Sequence, residues 1–542
     1  MEKKEITIEL KNVEIVVTLC VLSVFLIFEL LTMFKSPIVF GDEGTYAATA
    51  REMARRVEFF PWNPVFGMKG EKSGMGGPPF TFLIIAFSFM TTGLSEVMVK
   101  FLYPFSAFVT GIAVYFLGRL IYNKKVGLFA AIIAMALPSF VTYSVLVYKD
   151  VFVTLFTVMF FIFFILSMER KNVMYWIVCG IFGALAFLSK VSGLNSFIVL
   201  FLAFGYEIVT KKKVSLTLLK KYGIILITSF LIVFPLLLRN FYYYKTPMCA
   251  FPYIEKFFDT SGCSIKPDVE KKFKFEGRTE EVGTEMNVFK MGLTNYFKFA
   301  YGNLFLSVLG FFCGLFLILT KKSKNEIYML FMLFVFLLVF AYSSRGRAED
   351  TARYTLAWSP IIAVIAGRWF SELYDYIHRH FKHLAVLIVL FVIIVSFLNL
   401  HEKLKIMETV KRFSPSFFEA CQWVKENLPK DVIISTVWSP RAAYACDRRM
   451  TGHVPDIFLS MNATYSVEYA KKVGVTHLFV QKFSMSNRKL AERYSIDELR
   501  FLENNPKYFI KVFENGPSLE ECIRAGGCDG NIIYEINYSA VE

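Results

Sequence analysis

The stretch "GDEGTYAATAREMARR" follows a long apolar run and opens with two adjacent carboxylates, Asp42 and Glu43. A carboxylate held at a helix start beside a membrane surface is well placed to act as a general base. The same residues also suit plain helix initiation, with an acidic first turn and a basic end that complement the helix dipole. A second acid, Asp150 in "VYKDVF", stands at the lip between two apolar runs and either caps the following helix or joins the chemistry. The loop "SSRGRAEDTARYTLAWSP" supplies Arg345, Arg347 and Arg353. Forked guanidinium groups pair well with phosphate, which is the functional reading of that loop; pairing with Glu349 and Asp350 is the structural one. "RNFYYYKTP" adds Arg239, Asn240 and Tyr242 to Tyr244, a basic-aromatic edge of the kind found in membrane-interface belts.

The elements that must position these groups cross a membrane. Of the 542 residues 55% are hydrophobic and 17% aromatic, and the mean hydropathy is +0.48. A soluble fold rarely tolerates such values. The formal charge of +15 raises nucleic acid as a partner. Its basic residues, however, lie in short clusters between apolar runs, as the positive-inside rule requires, and form no basic face interleaved with aromatics. The first run, Val13 to Phe34, is too long for a signal-peptide core and reads as a retained span.

Runs of roughly 17–25 residues fall near 13–34, 101–121, 126–146, 151–168, 173–189, 192–209, 222–238, 299–320, 326–342, 354–370 and 383–400. These are eleven expected spans. The apolar stretch Pro78 to Gly93 is shorter, and counting it would turn the Arg119/Lys124/Lys125 cluster outward. It is therefore read as a helix lying at the outer interface, with a short tilted span as the alternative. Parity then places the N-terminus inside, and the segments 35–100, 147–150, 239–298 and 343–353 outside, together with the chain beyond about 401. The expected location is the cell membrane, multi-pass, with the chemistry on the extracytoplasmic side.

Beyond His401 the pattern changes. "SPSFFEACQWVKENLPKD" carries an N-cap Ser and a Pro stop, "VIISTV" and "VTHLFVQ" read as strands, and "SVEYAKKVG" reads as a helix with a Gly cap. A helix around 485–504 and the strands "YFIKVF" and "NIIYEINY" complete a small extracytoplasmic α/β domain over 401–542, with the membrane domain covering 1–400. The sequons at Asn462 and Asn537 fall in it. Six cysteines lie outside the spans, and the short loops containing them suggest disulfides Cys249–Cys263 and Cys522–Cys528, with free thiols as the alternative. His453 and Asp456 read as a surface loop pair. No CxxC or HxxxH spacing points to a metal.

The order "FGDEGTYAATAREM" after the first span, "GMGGPP" opening an apolar interfacial helix, Asp150 heading a span, then "ARYTLAWSPIIAVIAG" resembles the GT-C glycosyltransferases, in the branch of dolichyl-phosphate-mannose protein mannosyltransferases and lipid A aminoarabinose transferases. The resemblance covers roughly residues 10–400. It implies an integral-membrane inverting transferase that moves a sugar, mannose by default, from a polyprenyl- or dolichyl-phosphate donor to an acceptor hydroxyl of a protein or glycolipid. It also implies Asp42 as catalytic base, Glu43 and Tyr46 at neighbouring motif positions, and Asp150 as the second acid. Arg353, beside Tyr354, would face the leaving phosphate. Relatives often carry Lys directly before the Pro pair, where Gly77 stands here; Lys69 and Lys72 lie upstream and could reach back. An acidic metal ligand of some relatives is Gly76 here, which weakens the case for a metal: a divalent cation is an open alternative that the sequence does not support, and no other cofactor is implied.

Three other readings remain, one of them a non-catalytic assembly or sensor protein whose outside α/β domain binds a partner. An oligosaccharyltransferase would carry a "WWDYG"-like stretch after the spans, which this sequence lacks. A lipid or sugar transporter without transferase activity would need polar positions or broken helices in mid-membrane.

Overall fold

The computed structural model describes residues 13–38, 42–56, 78–170, 172–244, 246–247, 288–302, 304–320, 323–410, 414–436, 439–451, 462–482, 496–525 and 528–541. The chain divides into two compact units. One comprises residues 1–35, 97–239 and 285–409; the other comprises 36–96, 240–284 and 410–542.

The first unit is helical and belongs in a membrane. Across the described residues, seven helices are long and apolar enough to cross one, or up to nine if each of two bent pairs counts as one span. All eleven expected runs are largely helical. The run at 173–189 forms the shorter apolar helix Val173–Ser189. The run at 354–370 begins in a separate short helix, Ala348–Thr355, and continues in Ser359–His380, whose last turn is basic. The first bent pair, Lys124–Ala136 and Pro138–Ser144, turns by 66°. Pro138 explains the break, because a residue before proline is pushed out of the helical region, and Leu137 sits at φ −63°, ψ 126°.

Helix Ser359–His380 is the packing centre of this unit. Its first half is buried, from Ser359 to Gly367, and its neighbours come close at small residues. A Cβ on Gly367 would lie 2.9 Å from the Ala130 backbone nitrogen, and one on Gly314 would lie 2.0 Å from the Ile365 carbonyl oxygen. In a bilayer, where apolar burial drives helix association weakly, such backbone approach is the main source of packing energy.

The second unit contains helices Glu43–Arg56 and Phe80–Thr92 and the C-terminal α/β fold. Phe80–Thr92 ends at Gly93, left-handed at φ 65°. Its 13 residues extend about 20 Å at 1.5 Å per residue, less than the roughly 30 Å of a hydrocarbon core. Phe82, Ile85 and Phe89 are buried while Phe87 and Met90 are exposed, so both faces of the helix are apolar.

The α/β fold has five strands, β1 (Ile433–Ser435), β2 (Arg449–Thr451), β3 (His477–Gln481), β4 (Phe509–Asn515) and β5 (Asn531–Ile536), in the order β2-β1-β3-β5-β4. β1 runs parallel to β2 and β3, with Ile434 opposite Met450 and His477; β5 runs antiparallel to β3 and β4. Helix Ala463–Val473 links β2 to β3 and ends on Gly474 at φ 77°. Val467, Ala470, Leu478, Val480, Ile532 and Tyr534 form the core between sheet and helices. β2 was not expected from the sequence; its three residues, "RMT", offer too short a pattern.

Helix Pro415–Asn427 begins after Ser414 as expected, but Ser414 makes no side-chain cap. Its hydroxyl bonds Asp529 and Ser416 instead. Asn462 Oδ1 accepts from the Tyr465 amide at 3.1 Å, so this sequon asparagine is the N-cap of its helix. Cys522 and Cys528 are disulfide-bonded, as expected. A second bridge, Cys421–Cys446, was missed, because 25 residues of separation give no local signal. Cys249 and Cys263 lie outside the described residues, as do His453 and Asp456.

Helix Glu43–Arg56 is tied to the α/β fold by charge. Arg55 donates from both terminal nitrogens to Asp447, at 2.8 Å each, and Arg51 Nη2 reaches Asp447 Oδ1 at 2.8 Å. Burial works against the Asp447 charge, but the Arg55 hydrogen bond, with Arg51 and Arg448, outweighs it and holds the carboxyl below its ordinary range. A carboxylate whose pKa is depressed by folding contributes stability above its unfolded pKa of about 3.9 and loses that contribution as pH falls through the folded value. The melting temperature of the protein should therefore drop between pH 5 and pH 3, and less steeply in Asp447→Asn. Equal slopes in the two proteins would refute this.

Candidate active site

Asp150 is the first residue of helix Asp150–Glu169, whose N-cap is Lys149. The capping reading of Asp150 therefore does not hold, and its side chain turns instead to two cations. Lys190 Nζ donates to Asp150 Oδ1 at 2.5 Å, and Arg353 Nε donates to Asp150 Oδ2 at 3.0 Å. The carboxylate side chain is 0% exposed, whereas those of Lys190 and Arg353 are 13% and 18% exposed. The anion is thus the inner partner and the cations form the accessible side.

Three separate elements bring these groups together. Helix Asp150–Glu169 packs along Val173–Ser189, and Lys190 sits at the C-terminal end of the latter, in extended backbone before the 3-10 turn Val191–Asn195. Arg353 comes from the last turn of Ala348–Thr355, which is anchored where the Thr351 hydroxyl donates to the Ser343 carbonyl at 2.7 Å. Two tyrosines stack on the cations: Arg353 over Tyr148, 4.5 Å from the ring centroid, and Lys190 over Tyr354 at 4.8 Å. A buried carboxylate that fixes two cations, each backed by an aromatic face, can orient donors toward an anion such as a phosphate.

In the second unit Asp42 directly precedes helix Glu43–Arg56, and its carbonyl accepts the Tyr46 amide at 3.1 Å. Asp42 is half-buried and Glu43 is buried. Tyr46, also buried, packs edge-on against Phe82 with ring centroids 5.5 Å apart. The acidic start of the helix is thus held on Phe80–Thr92.

A family model described as dolichyl-phosphate-mannose-protein mannosyltransferase matches residues 76–238. The archaeal oligosaccharyltransferase AglB from Archaeoglobus fulgidus, in complex with an inhibitory peptide and a dolichol-phosphate, is structurally similar at a TM-score of 0.65 and 14% identity. That match covers 92% of this chain and 73% of AglB. ArnT from Cupriavidus metallidurans bound to undecaprenyl phosphate is similar at 0.61 and 12%, covering 96% of this chain and 98% of ArnT. The chain has the GT-C glycosyltransferase fold. A third such structure, the arabinofuranosyltransferase AftD from Mycobacteria, is similar at 0.57 and 11%, over 95% of this chain and 41% of AftD. No curated protein sequence matches the chain.

Besides Asp42, Glu43 and Tyr46 at the helix start described above, the expected site residues separate into three groups. Asp150, Arg353 and Tyr354 are brought together. Arg345 and Arg347 are exposed in the same loop, and Arg239 is half-buried near the end of helix Leu216–Tyr244. Lys69 and Lys72, like Gly76 and Gly77, lie outside the described residues. Among the described residues no group of three His, Cys, Asp or Glu side chains is placed to hold a metal.

The residue missed is Lys190. It stands in "LSKVSG" between two apolar runs, on the side that span parity calls outside. A cation on that side is disfavoured by the positive-inside rule, which is the signal that could have found it.

Proposed function

We propose that the protein is an integral-membrane inverting glycosyltransferase that moves a sugar, with mannose as the default, from a polyprenyl- or dolichyl-phosphate donor to an acceptor hydroxyl on the extracytoplasmic face. The observation that carries this reading is the buried Asp150 with its two partly exposed cations, Lys190 and Arg353. The matching family model and the prenyl phosphates bound in two of the similar structures support a lipid-linked donor.

In the proposed reaction the acceptor hydroxyl loses its proton to the Asp42 carboxylate, its oxygen forms a bond to C1 of the sugar, and the C1–O bond to phosphate breaks. The electron pair leaves with the polyprenyl phosphate. Negative charge grows on that leaving group, so fixed cations stabilise the transition state more than the ground state. Lys190 and Arg353 take this role. Asp150 orients both.

The two bent helix pairs are the observation that favours a lipid or sugar transporter. Incubating the purified protein with radiolabelled polyprenyl-phosphate sugars and an acceptor mixture separates the readings. A transferase frees polyprenyl phosphate and labels an acceptor; a transporter leaves the lipid-linked sugar intact, and that outcome would overturn the proposal.

A further inference from the structure

The C-terminal α/β fold carries no group assigned to the reaction, yet it grips the helix that begins at the candidate base. Arg51 and Arg55 converge on Asp447. Arg51 also donates to the Tyr444 and Ala443 carbonyls at 3.0 and 3.3 Å and stacks on the Tyr444 ring at 4.7 Å. These carbonyls belong to the end of helix Ser439–Ala445, where the helix dipole is negative. Tyr444 in turn donates its hydroxyl to Glu96 at 2.8 Å.

The acceptor side of this contact is itself fixed. Asp447 sits at φ 54°, a backbone conformation that Asp and Asn adopt more readily than most residues. Cys446, just before it, is disulfide-bonded to Cys421 in helix Pro415–Asn427. Arg448, just after it, is buried and donates to the Lys425 and Leu428 carbonyls at 2.9 and 2.6 Å, at the end of the same helix. That helix lies on the sheet, with Phe417 stacked on Phe479 at 5.8 Å and Trp423 near Phe513 at 5.2 Å. A continuous path of packed and bonded groups therefore runs from the sheet to the basic end of helix Glu43–Arg56, one residue before whose start stands Asp42.

We propose that Asp447 is a positioning residue for transfer: by gripping Arg51 and Arg55 it sets the orientation of helix Glu43–Arg56 and hence of the Asp42 carboxylate. The inference rests on the transferase reading for its catalytic half; the grip on the helix stands independently. Displacing a base by about 1 Å can cost a hundredfold in rate, so a contact remote from the chemistry has leverage on it.

Asp447→Asn tests this, since Asn tolerates the same backbone and loses only the charge. Amide exchange in residues 43–56 of the full-length protein should quicken by about tenfold or more, and turnover should fall by about ten- to a hundredfold with the donor KM unchanged. Val480→Ala provides the structural control, because it loosens the core of the same α/β fold at a buried position in β3; it should lower the melting temperature while leaving both readouts near wild type. Unchanged exchange in Asp447→Asn would overturn the grip. Faster exchange with wild-type turnover, or turnover that simply tracks melting temperature across both variants, would overturn the positioning role. A wild-type protein that transfers no sugar fails the transferase reading and leaves the exchange result standing.

Discussion

Replacing Asp42 with asparagine should lower sugar transfer by about 10²–10⁴ while expression and melting temperature stay close to wild type. Its backbone carbonyl accepts the first helical bond from Tyr46, and Asn starts a helix as well as Asp does. Its side chain is half-buried rather than packed away, and the amide is isosteric with the carboxylate. What the amide cannot do is take the acceptor proton. Glu43 makes the informative contrast: it is buried at 0% exposure, and Glu43→Gln should disturb folding as well as rate. Initial rates with a labelled polyprenyl-phosphate sugar, set beside melting curves, check both variants. Normal turnover in Asp42→Asn would remove this residue from the chemistry.

The sequence showed the helices of the membrane unit and the strands of the α/β fold because their patterns are local: long apolar runs in one case, short β-branched stretches between turn signals in the other. It showed Asp150 and Arg353 because charge is rare in such surroundings. It did not show that they meet, since 203 residues separate them and only tertiary packing closes that distance. Lys190 escaped for a different reason: a lysine between two apolar runs looks like any loop cation until its partner is known. Nor was the Asp447 grip on Arg51 and Arg55 legible, because basic residues at a helix C-terminus already have a sufficient local reason in the dipole. The Cys421–Cys446 bridge was hidden because 25 residues of separation give no local signal. What the fold adds in every case is a long-range partner for a residue whose local reading was already complete.

The largest combined effect on stability and function is expected at Asp150, where Lys190 and Arg353 are both held by one fully buried carboxylate. Asp150→Asn leaves two like charges facing each other with their buried anion gone, and breaking a buried pair in this way costs about 3–5 kcal/mol. The melting temperature in detergent should fall accordingly, and transfer with it. If the cations serve a lipid phosphate, added polyprenyl phosphate should raise the melting temperature of Asp150→Asn more than that of wild type, because the ligand then replaces the missing anion. Arg353→Gln makes the opposite change. It leaves Asp150 paired with Lys190, so the fold should tolerate it, but it removes a donor from the growing charge and should cut transfer by about 10²–10³, together with part of the stabilisation by polyprenyl phosphate. A variant that folds yet binds the lipid phosphate less well, beside one that folds poorly yet is rescued by it, is the pattern that a phosphate-facing cation pair requires. Wild-type transfer in Arg353→Gln and no extra stabilisation of Asp150→Asn would instead mark the cluster as an ion pair that serves only to join three helices.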